Sequence, residues 1–425
     1  MFRASRALAT ISPVEWREQD RRPAQRLERR RRQRQVAIRR RRLAAVAVFL
    51  VVLLAAVLLI AGDLGNGGGN PKLTAALRRA AAREQRVKFT VEASGDLLIH
   101  SPVWERALAL GGGSKYDFAP LFDQIRPYIR GADLALCHVE TPMTSAPPTS
   151  YPIFNTPPEL ATAVAQTGWD ACDTASNHSL DQGQDGIDQT GSALSKAGVV
   201  HDGSFPSPAA QHKPVIVKVH GVKLGFLAFT TDTNGIPAPH PWSVNIAKAS
   251  LIEADVKRDL KAGADAVIVN LHWGGGIVPE YEQTPSSGEV ALVKKVTALP
   301  GVAAIVAQGP HVVQPIRWVN GKPVVYSEGN LVSNQSPLAG LPSTTQDGLI
   351  ALISFVAEGG NVKAKVVHYV PTSVRHPDYE VLPVGPALAK GEADATELRD
   401  SYQRTVSVAG RGPKVMPVPA KLSGG

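Results

Sequence analysis

Hydrophobic patterning divides the chain into a front segment, a folded middle and a Pro-punctuated end. Residues 43–61 are nineteen uncharged and almost wholly apolar positions. As a helix, such a run is long enough to cross a hydrocarbon core of about 30 Å. From residue 87 the pattern changes to short β-rich apolar runs at 87–93, 133–137, 169–172, 266–271 and 303–306. Helical spacing falls between them at 118–130, 158–166, 186–197 and 252–261, and this alternation predicts an α/β core. Two of those helices run into a glycine, Gly131 and Gly198, as helix C-termini favour. Three turn signals, His220-Gly221, Asn320-Gly321 and Gly359-Gly360, each separate a pair of strand-like runs: 214–219 and 222–229, 316–319 and 323–326, 349–356 and 362–370. Antiparallel hairpins are therefore expected, and the sheet is mixed rather than purely parallel.

Residues 62–70 are Gly-rich and 72–86 read as a helix or tether, so 62–87 is expected to be a spacer. The folded domain is expected over 88–370. Beyond it, residues 371–425 read as a tail punctuated by seven prolines, with one helix near 392–403.

Charge changes the picture at the front only. The formal net charge is +9, yet residues 1–42 hold fifteen Arg against four acids, a surplus of eleven that leaves −2 for the rest. Basic residues stay on the cytoplasmic side of a span. The 43–61 helix is thus expected to be an uncleaved single-pass anchor, with its N-terminus inside and the main domain outside the cell membrane; both the leader and the apolar run are longer than a signal peptide needs. The Arg-rich segment 1–42 is expected to meet anionic inner-leaflet lipid. No nucleic-acid partner is expected, because the folded part is not basic.

The only cysteines, Cys137 and Cys172, show no C-x-x-C spacing, so neither a thiolate zinc site nor a thioredoxin-type motif is supported. Two buried free thiols are the first expectation. A bridge between them stays open, since an oxidising exterior permits one.

Five polar clusters sit where the expected strands end, the edge at which open α/β sheets place ligands. Asp96 closes the first strand after Gly95, with His100 four residues on. His138 and Glu140 share one face of an extended segment by the two-residue period. Asn177, His178 and Asp181 place three oxygen or nitrogen donors within five residues, the ligand types that hydrolytic divalent metals take; Asp181 could equally cap the next turn. His272 emerges beside Trp273 and a Gly run at 274–276, followed by Glu280 and Tyr281. His311 follows Gln308-Gly309-Pro310, and Asn330 follows the turn residue Gly329, where it could bond loop backbone or reach a ligand.

In order, these clusters read Gly-Asp, Glu-Thr-Pro, Asn-His-x-x-Asp-x-Gly, His-Trp-Gly, Pro-His-Val-x-Gln-Pro and Tyr-Ser-x-Gly-Asn across 88–331. That order resembles the CapA-type capsule (poly-γ-glutamate) biosynthesis proteins. The resemblance implies a metallophosphoesterase-like fold, a mixed β-sheet sandwich flanked by helices. It implies a role in capsule poly-γ-glutamate or cell-wall polyglutamine production, with a glutamyl polymer or synthase subunits as partners. It also implies a divalent metal ion (Mn, Fe or Zn) on Asp96, Glu140, Asn177, His272 and His311. His178, His311 and Asp181 are the expected proton-handling residues, with His100, His138, Glu280 and Asn330 as further candidates. Several positions depart from the family pattern. His138 stands where Asn is common, Gly309 stands where the first His of a His-x-His pair would be, Glu328 replaces a commonly apolar residue, and 274–279 lengthen one loop. Two functions follow as expectations: a metal-dependent hydrolase or transferase, and a non-catalytic polymer-binding or synthase-accessory module.

Overall fold

The computed structural model describes residues 86–274, 280–419 and 421–422. The Arg-rich segment, the expected span at 43–61, nearly all of the spacer and the Gly275–Pro279 loop lie outside the described residues. Among the described residues no helix is long and apolar enough to cross a membrane.

Element order is β1 (Val87–Leu97), α1 (Ser101–Leu110), α2 (Arg126–Ile129), β2 (Leu134–Val139), α3 (Glu159–Thr167), β3 (Ala171–Asp173), α4 (Gly183–Ala197), β4 (Val200–Asp202) and α5 (Pro208–Gln211). There follow β5 (Ile216–Val219), β6 (Val222–Thr230), α6 (Ala249–Lys261), β7 (Ala266–His272), α7 (Ser287–Ala298), β8 (Val302–Gln308), β9 (Ile316–Val319), β10 (Lys322–Val325) and β11 (Asn330–Val332). The chain ends with β12 (Asp347–Glu358), β13 (Asn361–Arg375), β14 (Glu380–Pro383), α8 (Val384–Lys390), α9 (Ala395–Ala409) and β15 (Val415–Pro417). A nine-stranded sheet has the order β14-β13-β12-β1-β2-β3-β4, with β11 beside β1 and β15 beside β13; a six-stranded sheet has the order β5-β6-β7-β8-β10-β9. In the first, β1 to β4 are parallel and β12 to β14 antiparallel. In the second, β6, β7, β8 and β10 are parallel, and the hairpins β5–β6 and β9–β10 flank them.

The sheets pack face to face. Val91, Ala93, Leu134 and Leu136 meet Phe226, Ile268, Ala304 and Val306 between them. On the outer face of the larger sheet, Ala135, Cys137 and Val139 pack on Val103, Leu160 and Val164 of helices α1 and α3. On the outer face of the smaller one, Val267, Val269 and Ile305 pack on Ile252, Val256, Val293 and Val296 of α6 and α7. The result is a four-layer α/β sandwich. Strands buried on both faces explain why the parallel runs read as continuously apolar instead of alternating.

Three expectations change. The helix expected over 118–130 is a 3₁₀ turn, Ala119–Phe122, followed by the short α2; Pro120 and Pro127 each remove a donor and block the preceding turn. The segment expected as a tail beyond residue 370 is built into the fold. Strand β13 runs on to Arg375, β14 and β15 pair with it, and Leu382, Val384, Leu398 and Tyr402 form a small core of their own. Prolines misread as linker signals are tolerated there at strand and helix ends. The third change is the cysteine pair. Cys137 and Cys172 face each other in register on β2 and β3, with Cα atoms 4.5 Å apart, and form a disulfide; the alternative of two free thiols does not hold.

Candidate metal centre

Period-two alternation carries the apolar column between the sheets straight into polar groups at the strand ends. Along β2, Leu134 and Leu136 are followed on the same side by His138 and then Glu140. On β3, Ala171 is followed by Asp173; on β7, Ile268 by Asn270 and His272; on β8, Ala304 and Val306 by Gln308. Strand β1 reaches the same side through an irregularity. Ala93 packs between the sheets and Leu97 on the helix side, with a register shift between Ala93 and Asp96, so Asp96 turns inward opposite His138. Gly95 permits this: a Cβ there would lie 1.8 Å from the Gly329 carbonyl oxygen, and the Asp96 N–H donates to that same oxygen at 3.1 Å.

The inward groups form two triads that share Asp96. Ligand atoms of Asp96, His138 and His272 lie within 4.8 Å of one another, as do those of Asp96, Glu140 and His311, and all five residues are buried. The His138 and His272 rings stack at 4.7 Å, one sheet against the other. Asn177 Oδ1 lies 2.9 Å from His272 Nε2. On the second side, His311 Nδ1 is 3.2 Å from Asp96 Oδ2 and 3.1 Å from Asn330 Oδ1, and its Nε2 is 3.7 Å from Glu140 Oε1.

Burial and crowding shape the charges. Glu140 is pushed up to about 7 by burial and by the neighbouring Asp96, against the pull of His311, His178 and His138. Burial alone would depress His138, but Asp173, Asp96 and Glu140 outweigh it and raise it to about 9. His311 rises to about 9 in the same way, with Glu140 and Asp96 outweighing its burial. His272 is held well below its ordinary value by burial and by His138, His311 and His178. Without an ion, then, two imidazoles supply the positive charge beside Asp96 and Glu140.

Their geometry fits a metal better than it fits mutual pairing. Asp96 Oδ1, both Glu140 carboxylate oxygens, both His138 ring nitrogens and His272 Nδ1 are buried without a hydrogen-bond partner. Buried charged groups are ordinarily hydrogen-bonded or coordinate metals. Carboxylate oxygens and imidazoles grouped within a few ångströms are the donor set of hydrolytic divalent ions.

The remaining expected residues sit around this centre. His178 Nδ1 contacts Asp181 Oδ2 at 2.7 Å, and that oxygen also accepts the Phe154 N–H at 2.7 Å. Asp181 therefore orients His178, and the pair stands beside the triads, outside both. Asn330 holds His311 and donates through Nδ2 to Gln335 Oε1 at 2.9 Å and the Thr345 carbonyl at 2.8 Å. His100 lies off the triads, its ring edge-on to Phe154, and burial with the nearby His311 lowers it to about 4. Glu280 is exposed in the turn before Tyr281.

Two participants carry no motif of their own, and a third, Gln308, stands in the sequence only as a neighbour of His311. Asp173 lies 3.2 Å from His138 Nδ1, and its only prior signal was period-two spacing from Ala171. Asn234, in a loop with no motif, accepts from Asn177 Nδ2 at 3.1 Å. Gln308 donates to the buried Glu328 at 2.9 Å; burial, with Asp96 nearby, raises Glu328 to about 8.

A two-sheet α/β domain that gathers buried acids and imidazoles at its strand ends presents donor clusters of the kind that could hold a metal ion. The chain belongs to the bacterial capsule synthesis protein family PGA_cap, whose profile matches residues 90–335, more than half of its length. It is 27% identical over 273 residues to the capsule biosynthesis protein CapA of Bacillus anthracis, covering 62% of this chain and 64% of that one. It is 27% identical over 230 residues to the PGA biosynthesis protein CapA of Bacillus subtilis, covering 51% and 57%. The matches thus span less than two thirds of either relative. Among solved structures, the calcineurin-like phosphoesterase YfkN of Bacillus subtilis aligns over 75% of this chain and 97% of that chain at 15% identity and a TM-score of 0.42, too distant to bear on activity.

Proposed function

We propose that the chain serves capsule or cell-wall poly-γ-glutamate production from the outer face of the cell membrane. On this reading the apolar run 43–61 anchors it, and the Arg-rich leader rests on anionic inner-leaflet lipid. The strand-end centre acts in a hydrolytic or transfer step on a phosphoester or a γ-glutamyl amide, with the polymer or its synthase as partner. The observation that carries the reading is the pair of buried triads meeting at Asp96 with unpartnered ligand atoms. Family membership supports the biological role.

Asp96, His138 and His272 would hold one ion (Mn, Fe or Zn), and Asp96, Glu140 and His311 a second. Lewis-acid polarisation of a phosphoryl or carbonyl oxygen and activation of water are the chemistry a bound divalent ion supplies. The protein's own groups do the rest. Asp181 engages His178 Nδ1 and leaves Nε2 to carry a proton toward a leaving group. Asn177 and Asn330 orient His272 and His311, and the stacked sheets keep bulk water from the acids.

The test is metal analysis of the purified full-length chain together with an Asp96→Ala strain. Bound Mn, Fe or Zn in the wild type, and loss of both metal and polymer in the variant, is expected. A metal-free wild type with normal polymer in the variant would sink the proposal.

A second reading, a non-catalytic polymer-binding or synthase-accessory module, draws support from Gly309. Its φ is +113°, and a Cβ there would lie 2.0 Å from the Trp273 carbonyl oxygen, so this backbone excludes the imidazole that the family pattern would place at 309. Polymer capture undiminished by chelation, with normal yield from an Asp96→Ala strain, is the outcome that reading requires.

A further inference from the structure

Resting on the metal-centre reading, we infer that Asp173 is the positioning carboxylate for His138, and that His138 is an imidazole ligand standing in for the one position 309 cannot supply. Three parallel neighbours create the arrangement. Strands β1, β2 and β3 put Asp96 opposite His138 and His138 opposite Asp173, so acid, imidazole and acid form one row at the strand ends. Side chains in such a row are fully buried.

The two ring nitrogens have different tasks. Nδ1 lies 3.2 Å from Asp173 Oδ2, while Nε2 faces Asp96 with 3.8 Å to its Oδ1. The Nδ1 contact is close in distance but off-angle for a hydrogen bond, and neither atom has another partner. Asp173 is itself fixed, because its Oδ1 accepts the Ala175 N–H at 2.7 Å. The ring cannot swing away freely either: it stacks on His272 across the sheets with an interplanar angle of 19°, and the bridge between Cys137 and Cys172 ties β2 to β3 one residue earlier. A carboxylate at one imidazole nitrogen sets the tautomer and presents the other as a ligand, and removing such a partner costs about 10 to 100-fold in metal affinity.

The competing account makes His138 a fixed cation neutralising Asp96 and Asp173. A purpose-built buried ion pair should close to about 2.7–2.9 Å with good alignment. The 3.8 Å gap at Nε2 does not, whereas ligand atoms of Asp96, His138 and His272 lie within 4.8 Å of one another, a grouping that could hold an ion. The exclusion of a side chain at Gly309 supplies the independent reason why an imidazole would be drawn from β2 instead.

Co²⁺ titration of the detergent-purified, chelator-stripped full-length chain tests this, read by the visible Co²⁺ absorption band and by stoichiometry, with a thermal melt for each variant. Asp173→Asn should weaken one Co²⁺ equivalent by about 10 to 100-fold and shift its band; His138→Gln should lose that equivalent. If Asp173→Asn fails to fold, Asp173→Ser, which also removes the carboxylate, makes the same comparison. Wild-type affinity in folded Asp173→Asn, accompanied only by a lower melting point, overturns the positioning role, and unchanged stoichiometry in His138→Gln overturns the ligand role. A wild type that takes up no Co²⁺, Mn²⁺ or Zn²⁺ overturns the metal-centre reading itself and this inference with it, a result distinct from the other two.

Discussion

The two sides of Asp96 are built differently. One side, with His138 and His272, lies where the sheets meet: its imidazoles stack on each other and are backed by Asp173 and Asn177. The other, with Glu140 and His311, rests on loops: His311 sits at φ 59°, is held by Asn330 and faces Tyr281 across 6.3 Å between ring centres. Nitrogen-rich donors on rigid strand ends suit an ion held for structure and polarisation, whereas the carboxylate-rich, loop-borne side suits the harder ion and the exchange of substrate. A single shared acid couples the two.

That contrast can be broken most severely at Asp96. Asp96→Ala should abolish both metal equivalents, whereas His272→Ala and Glu140→Gln should each remove one; stoichiometry by elemental analysis decides, and an Asp96 variant retaining one ion would show that the triads do not share it. His178 tests what lies outside both sides. His178→Ala should lower turnover about 10² to 10⁴-fold, as loss of a proton donor does, with both ions retained, once a substrate is in hand. Loss of metal in that variant would move His178 into the centre.

Protonation offers a finer probe. In the ion-free site Glu140 is raised to about 7 and His138 and His311 to about 9, so below those values protons occupy the ligands and compete with the metal. Apparent affinity should therefore rise with pH between about 7 and 9, and competition titrations at several pH values would reveal it; a flat profile would argue that these groups do not bind the ion. The smallest effect is expected at Gly309. Gly309→Ala must move the Trp273 carbonyl or abandon a left-handed backbone, at about 1–3 kcal/mol, read as a lowered unfolding midpoint with metal binding retained.

Much of this was legible beforehand because it is local. Strand runs, the three Gly-containing turns, and the acids and imidazoles following each strand are set by neighbours in sequence; the ligand set Asp96, Glu140, Asn177, His272 and His311 is what the motif order implies, and the fold gathers four of these into the two triads while Asn177 stands against His272. Over 118–130, Pro120 and Pro127 outweigh the apolar spacing and only a 3₁₀ turn and a short helix form. At the end of the chain, proline content says nothing about whether a sheet edge is waiting, and β14 and β15 pair with β13.

Sequence alone, then, determined the polar caps on apolar strands, the charge asymmetry between leader and domain, and the order of motifs that marks the family. Only the tertiary structure decided that His138 meets Asp173 and His272, that Asp96 belongs to two triads, and that position 309 has no space for a side chain. Those facts depend on register between strands distant in the chain and on a bulge in β1 that turns one carboxylate inward. Pairing across such distances is chosen by the packing of two sheets as a whole, and no local pattern contains it.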